Sequence, residues 1–246
     1  MQDISHDLRT PISALRSQFE GILDGVLDMT PARIEKNLGE IQRVERLISQ
    51  FSELVMLEEP DMKIKEETVD IAELVEHVID RFEATIQSKQ IAPELNIEQC
   101  STIGDRELLT RAVSNIVSNA VTYTNEGGSI TVYVSEGTHR TPDREDAGQP
   151  CNGTGSVSLP YEKNRSTSEE EAIIIQVRNS GALIPPEELN KVFDRLYRGE
   201  YARKTKGTGL GLNITKRIIE LHGGTIHLGS DADRGTVVRI CLPKHS

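Results

Sequence analysis

The sequence predicts an α+β chain in two parts, a helical hairpin followed by a mixed α/β domain. Three observations carry that reading. Apolar residues recur at three- and four-residue spacing over residues 4–26 and again over 34–55, the period of amphipathic helices. Past Lys65 the period changes: residues 129–135 alternate as a half-buried strand does, and 172–179 are apolar enough for a buried one. Between the two regimes, Glu58, Glu59, Pro60 and Asp61 interrupt both patterns. The expected division is a hairpin over 1–60, a linker over 61–66 and a second domain over 67–246.

In the first part, Ile4, Leu8, Ile12, Leu15, Phe19, Ile22 and Val26 form one stripe. Gly25 and Asp28 break that helix, Thr30 caps the next and Pro31 takes its first position. Ile34, Leu38, Ile41, Val44, Ile48, Phe51 and Val55 carry the second stripe. Two helices cannot bury both stripes by themselves, so a second copy is expected, giving a homodimeric four-helix bundle.

The stretch Ser5-His6-Asp7-Leu8-Arg9-Thr10-Pro11 carries reactive groups. A neutral imidazole is a competent nucleophile near pH 7. Asp7 can accept a proton from the ring nitrogen of His6 not engaged in attack. Thr10 lies one turn on, on the same face, and Pro11 should kink the helix just beyond. On these residues alone, a solvated polar helix face is the plainer alternative.

Composition sets limits. A net charge of -11 over 246 residues argues against a general nucleic-acid binder. Cys100, Cys151 and Cys241 are odd in number and widely spaced. They suit neither a disulfide framework nor a zinc site, in keeping with a reducing compartment. The sequence contains neither a signal peptide nor an apolar run approaching the roughly 18 residues that span a bilayer.

In the second part, residues 68–84 read as an extended segment passing into a helix, and 91–103 as a short strand pair. Asp105 caps a helix reaching about Tyr123. Asn115, Asn119 and Tyr123 share one face of it, although Asn is a poor mid-helix residue. Amide oxygens suit Mg²⁺, and an aromatic ring one turn later can flank a base or sugar. Two exposed amides and a half-buried Tyr are the alternative. Residues 136–171 are rich in Gly, Ser, Thr, Pro and charge, and read as a disordered insertion.

Asn179-Ser180-Gly181 follows, then Pro185, Pro186, a short helix and Phe193. Arg195, Arg198, Arg203, Lys204 and Lys206 precede Gly207-Thr208-Gly209-Leu210-Gly211-Leu212, which opens a helix reaching about His222. Glycines admit an anion to the backbone, a helix N-terminus presents free N–H groups, and cations offset phosphate charge. The spacing is neither a dinucleotide fingerprint nor a P-loop. Residues 225–229 and 236–242 would supply closing strands.

His6-Asp7-Leu8-Arg9-Thr10-Pro11 resembles the phospho-acceptor box of the sensor histidine kinases of two-component signalling. Asn115 to Thr124, Asn179-Ser180-Gly181, the Phe193 stretch, the glycine run and Gly235-Thr236 resemble, in order, the ATP-binding domain shared by histidine kinases, gyrase-type ATPases and heat-shock chaperones. The resemblance implies an α/β sandwich in the second part, a mixed sheet covered by helices on one face. It implies ATP as substrate, Mg²⁺ held by Asn119 with Asn115, and phosphates held by the Gly207 to Leu212 lid and its cations. Asn179, Ile184, Leu212 and Thr236 would approach the adenine side of the pocket, and Gly181 would belong to the nucleotide site. His6 would pass its phosphoryl group to an aspartate on a response-regulator receiver domain, with Thr10 serving its dephosphorylation. A start five residues before His6 is expected of a cytoplasmic core whose longer parent is anchored in the membrane upstream, with no direct nucleic-acid contact. Two residues depart from the pattern: Asn179 where aspartate is usual, and Thr122 where lysine is common. They keep open a phosphatase-biased or weakly active nucleotide-binding scaffold. A gyrase- or chaperone-like ATPase is the other rival, against which His6 and the hairpin speak.

Overall fold

In a computed structural model, the described residues are 4–140, 169–199, 202, 205, 207–232 and 235–244, without the side chains of 4–7, 139–140 and 169–170. Helix α1 (Ile4–Leu23) is continuous through Pro11. It ends where Gly25 turns left-handed at φ 68°, and the N–H groups of Val26 and Leu27 return to the Gly21 carbonyl at 3.0 and 2.9 Å. Val26, expected to close the first stripe, therefore lies past the helix. Helix α2 (Pro31–Leu57) starts as its sequence dictates, with extended Thr30 accepting from the Arg33 N–H and Pro31 at the first turn.

The chain separates into two compact units, Met1–Met62 with Phe193–Ile214, and Lys63–Val192 with Thr215–Ser246. The division expected from sequence placed Phe193–Ile214 wholly with the second domain. In the first unit α1 packs on α2, yet Ile12, Phe19, Ile34, Leu38, Ile41, Ile48 and Val55 stay exposed while Leu47, Leu54 and Leu57 are buried. The stripes found by periodicity are thus largely the ones that this chain leaves uncovered.

The second unit holds β1 (Glu67–Asp70), α3 (Ile71–Asp80), α4 (Glu83–Ser88), β2 (Ala92–Ile97), β3 (Ser101–Gly104), α5 (Arg106–Tyr123), β4 (Ser129–Arg140), β5 (Glu169–Asn179) and α6 (Pro186–Leu189). Helix α7 (Gly211–Leu221) leads into it, and β6 (Thr225–Asp231) and β7 (Gly235–Pro243) finish it. The five-stranded sheet has the order β2-β4-β5-β7-β6, with only β2 and β4 parallel. Ile130, Val132, Val134, Ile173, Ile175, Val177, Val238, Ile240 and Leu242 are buried at every second position, which makes one face of the sheet apolar. Helix α5 packs against β5, and α3 against α5. Tyr133, on the alternate phase, is exposed.

Two boundaries differ from expectation. The strands within 91–103 do not pair with each other: β3 runs antiparallel to β1, and β2 parallel to β4. A parallel partner requires a long crossover, and the intervening α5 supplies it. The insertion is also narrower than 136–171, because β4 and β5 stay in register out to Arg140 and Glu169. Residues 141–168 lie outside the described residues, and so does Cys151.

Helix α5 forms because Asp105 accepts from the N–H groups of Glu107 and Leu108 at 3.0 and 3.1 Å and because Leu108, Leu109, Ala112, Val113, Ile116, Val117, Ala120 and Val121 are buried along one face. Its start is also tied to buried His222: the Asp105 N–H donates to Nε2 at 3.0 Å, and Nδ1 lies 2.7 Å from the Ile218 carbonyl. That pattern demands the neutral tautomer protonated at Nδ1. A His222→Phe variant keeps the ring but orphans the buried Asp105 N–H, whereas the Ile218 carbonyl keeps the main-chain N–H of residue 222 at 3.3 Å. It should lose about 2 kcal/mol of stability, read as a lower urea midpoint at unchanged slope. An unaltered midpoint would contradict the assignment.

Cys100 and Cys241 are free and buried. Burial, with Glu136, Asp70 and Glu98 nearby, pushes the Cys100 thiol up to about 11, so it stays protonated and unreactive at neutral pH. Among the described residues no helix is long and apolar enough to cross a membrane.

Candidate active site

The phospho-acceptor stretch lies on α1, where the backbone of His6 and Asp7 is helical and their side chains lie outside the described set. Thr10 is exposed and Pro11 buried.

In the second unit Tyr123, Asn179, Gly181 and Thr236 come together from three elements, while Asn115 meets Thr215. Helix α5 presents Asn115, Asn119 and Tyr123, all half-buried. The Asn115 amide nitrogen donates to the Thr215 hydroxyl at 3.4 Å, so a cation would be met by its oxygen end. Strand β5 ends at Asn179, which is 6% exposed, with an amide nitrogen that finds no hydrogen-bond partner among the described residues. A buried, unsatisfied donor costs about 1–3 kcal/mol, so such a group points to a ligand.

Gly181 is where these elements meet most closely. A Cβ there would collide with the Tyr123 carbonyl oxygen and lie 2.6 Å from the Asn179 amide nitrogen. Gly235 of β7, at φ 74°, makes a similar approach to the Asn179 carbonyl. Thr236 pairs with Asn179 across β7 and β5. Its hydroxyl lies 2.9 Å from that of Ser230, and the Ser230 hydroxyl accepts from the Ile184 N–H at 3.0 Å. Ser230 therefore holds two predicted pocket residues together, although sequence reasoning passed over it. The register Ser230↔Thr236 is the signal that was there to find, one residue beyond the expected strand 225–229.

The lid residues of the first unit have partners within that unit. Arg195 is ion-paired with Glu58 at the end of α2. The Thr208 hydroxyl donates to the Gln50 side-chain oxygen. Arg198 donates to the carbonyls of Ala202 and Thr205. The two arginines, read as phosphate ligands, thus have protein acceptors, and Arg195 would have to exchange Glu58 for phosphate to serve that role. Gly209, at φ 77°, lies against the backbone of Leu196 and Tyr197, leaving 2.8 Å for a Cβ. Leu210 is buried, Gly207 and Leu212 are half-buried, and Gly211 opens α7. Lys204, Lys206 and Arg203 lie outside the described residues.

No group of three or more His, Cys, Asp or Glu suited to a metal occurs among the described residues. The donor set remains compatible with Mg²⁺, which takes one or two protein oxygens and completes its shell with water and substrate phosphates.

The sequence pattern of the family described as histidine kinase-, DNA gyrase B-, and HSP90-like ATPase matches residues 104–246, and that of the His Kinase A phospho-acceptor domain matches 1–60. The sensor histidine kinase WalK of Bacillus subtilis is 30% identical over 98% of this chain, which spans 36% of that relative. The chain thus covers little more than a third of it. Among solved structures, the Acinetobacter baumannii histidine kinase AdeS superposes with a TM-score of 0.70 at 20% identity, over 98% of both chains. The histidine kinase ThkA, solved in complex with the response regulator TrrA, gives 0.70 at 21% identity over 98% of this chain and 60% of that one. These matches cover the hairpin and the sheet domain alike, and the chain belongs to the histidine kinase-, DNA gyrase B- and HSP90-like ATPase family, in the form that carries a phospho-acceptor hairpin ahead of the ATPase domain.

Proposed function

We propose that this chain is the catalytic core of an ATP-dependent protein-histidine kinase, with domains over 1–60 and 67–246. A nitrogen of His6 attacks the γ-phosphorus of ATP, the bond to the bridging oxygen breaks, and ADP departs. Asp7 stabilises the positive charge that develops on the imidazole and accepts the proton of the ring nitrogen not engaged in attack. Catalysis is otherwise positioning and neutralisation. Asn119 and Asn115 would hold Mg²⁺, which when bound offsets phosphate charge. The Gly207 to Leu212 lid and its cations hold the phosphates, while Asn179, Gly181, Ile184, Leu212 and Thr236 surround the adenine beside Tyr123. The phosphoryl group then passes from His6 to a receiver-domain aspartate of a response regulator, the P–N bond breaking as the O–P bond forms; a response regulator is a partner with which ThkA has been captured. Thr10 orients a water that hydrolyses the regulator's aspartyl phosphate, freeing the carboxylate and releasing inorganic phosphate. The uncovered stripes of α1 and α2 support a homodimer, and the relatives' greater length supports a longer parent.

The observation that carries the nucleotide reading is the buried, unpartnered amide of Asn179 beside Gly181. An Asn oxygen can accept from the adenine amino group, but its NH₂ end adds a donor with nothing to meet. Asn179→Asp removes that donor and supplies a charged acceptor. The bond should strengthen by about 1 kcal/mol, so ATP binds several-fold tighter and GTP does not. Titrating both variants with both nucleotides decides it, since an aspartate variant no better for ATP places Asn179 away from the adenine. The same departure, with Thr122, supports the second reading, a phosphatase-biased core that binds ATP and labels itself weakly.

A further inference from the structure

The last four carbonyls of a helix have no partner within it and must find one elsewhere. In α5 they are disposed of unevenly. The Ala120 carbonyl accepts from the N–H and hydroxyl of Thr124 at 3.0 and 2.6 Å, and that of Tyr123 lies against Gly181. Those of Val121 and Thr122 both accept from Lys89, at 2.8 and 3.1 Å, and the same ammonium reaches the Thr124 carbonyl at 2.8 Å. All three protons of one side chain, from 32 to 35 residues away in the chain, are spent on the end of this helix.

The main chain of Lys89 is tied to the same place. Its carbonyl accepts from the Gly127 N–H at 2.9 Å, and Ala92 donates to the Gly128 carbonyl at 2.8 Å. Lys89 ends α4 and precedes Gln90, which adopts a left-handed backbone at φ 54°. Both sides of the residue thus clamp the turn after α5. A cation at a helix C-terminus also offsets the dipole, and charge-assisted bonds are the stronger kind.

We infer that Lys89 is a positioning residue for the base: it fixes the last turn of α5, and hence the Tyr123 carbonyl against Gly181 and the space before the Asn179 amide. It touches no substrate. The inference rests on the adenine reading given above and adds a residue outside every motif that the sequence singled out.

The test compares wild type, Lys89→Met and Lys89→Arg in the full chain, titrated with ATP, adenosine and inorganic tripolyphosphate below each variant's melting temperature. Lys89→Met should weaken ATP and adenosine by a common factor of about tenfold, less than the hundredfold that a 1 Å misplacement of a reacting group can bring. Tripolyphosphate affinity should not change. Lys89→Arg retains a cation with several donors and should recover most of the loss. A parallel split belongs in autophosphorylation, with KM for ATP raised and the rate at saturation preserved. Unchanged adenosine affinity in Lys89→Met would overturn the inference, and so would an equal fall for tripolyphosphate, which marks a merely structural role. A wild-type chain that binds tripolyphosphate but no adenosine overturns the adenine reading, and the inference with it.

Discussion

His6→Ala is expected to abolish phosphoryl incorporation, by a factor of at least about 1,000, while ATP binds as it does to wild type. The asymmetry follows from the construction of the chain. His6 lies on α1 in one compact unit, whereas Asn115, Asn119, Tyr123, Asn179 and Gly181 belong to the other. Removing a nucleophile eliminates the covalent step and not the binding that precedes it. Neighbouring groups offer no replacement, since Asp7 and Thr10 supply a carboxylate and a hydroxyl rather than a second imidazole. The measurement pairs label counting with nucleotide titration on the same preparation. Acid-labile label surviving on His6→Ala would remove His6 from its role.

Gly181→Ala should act in the opposite way, through the pocket. One methyl must fit where the Tyr123 carbonyl oxygen and the Asn179 amide already stand. The obstruction at Tyr123 is backbone, which cannot swing aside as a side chain can. Either the end of α5 or the turn after β5 moves, and overpacking of this kind costs about 1–3 kcal/mol. Because the displaced atoms border the proposed base site, ATP affinity should fall at least tenfold. Gly104 offers a contrast. A Cβ there meets His222 and Leu109 side chains, at 2.6 and 3.2 Å, so Gly104→Ala should lower stability with less effect on affinity. Wild-type ATP affinity in Gly181→Ala would contradict the proposed pocket.

Local signals proved the most legible. The cap at Asp105, the run of α5 to Tyr123 and the start of α2 at Pro31 follow from side chains within a turn of the boundary they set. Pairing across distance was not legible in the same way. Nothing local to residues 91–103 says that β3 will turn to β1 while β2 joins β4, since that choice is made by the crossover through α5. Periodicity found the stripes of the hairpin but not which of their residues this chain would itself bury, because the period marks an apolar face without saying what packs on it.

The site shows the same limit. Residue types suited to phosphate, Mg²⁺ and a base could be read from order and spacing, whereas their present partners could not. Arg195 meets Glu58, 137 residues away, and Thr208 meets Gln50, 158 away. Ser230 was missed for lack of one residue of strand. Lys89 escaped notice because a lysine in a turn ordinarily faces water, and only the end of α5 reveals where its ammonium goes.

The central claim is that this chain transfers the γ-phosphoryl group of ATP to its own histidine. Incubation with γ-labelled ATP and Mg²⁺, followed by splitting the sample between acid and alkali, tests it most directly. A phosphoramidate is lost in acid and kept in alkali, so the account predicts alkali-stable, acid-labile label confined to the peptide that contains His6. Acid-stable label, or free phosphate released with no label on the protein, would contradict it.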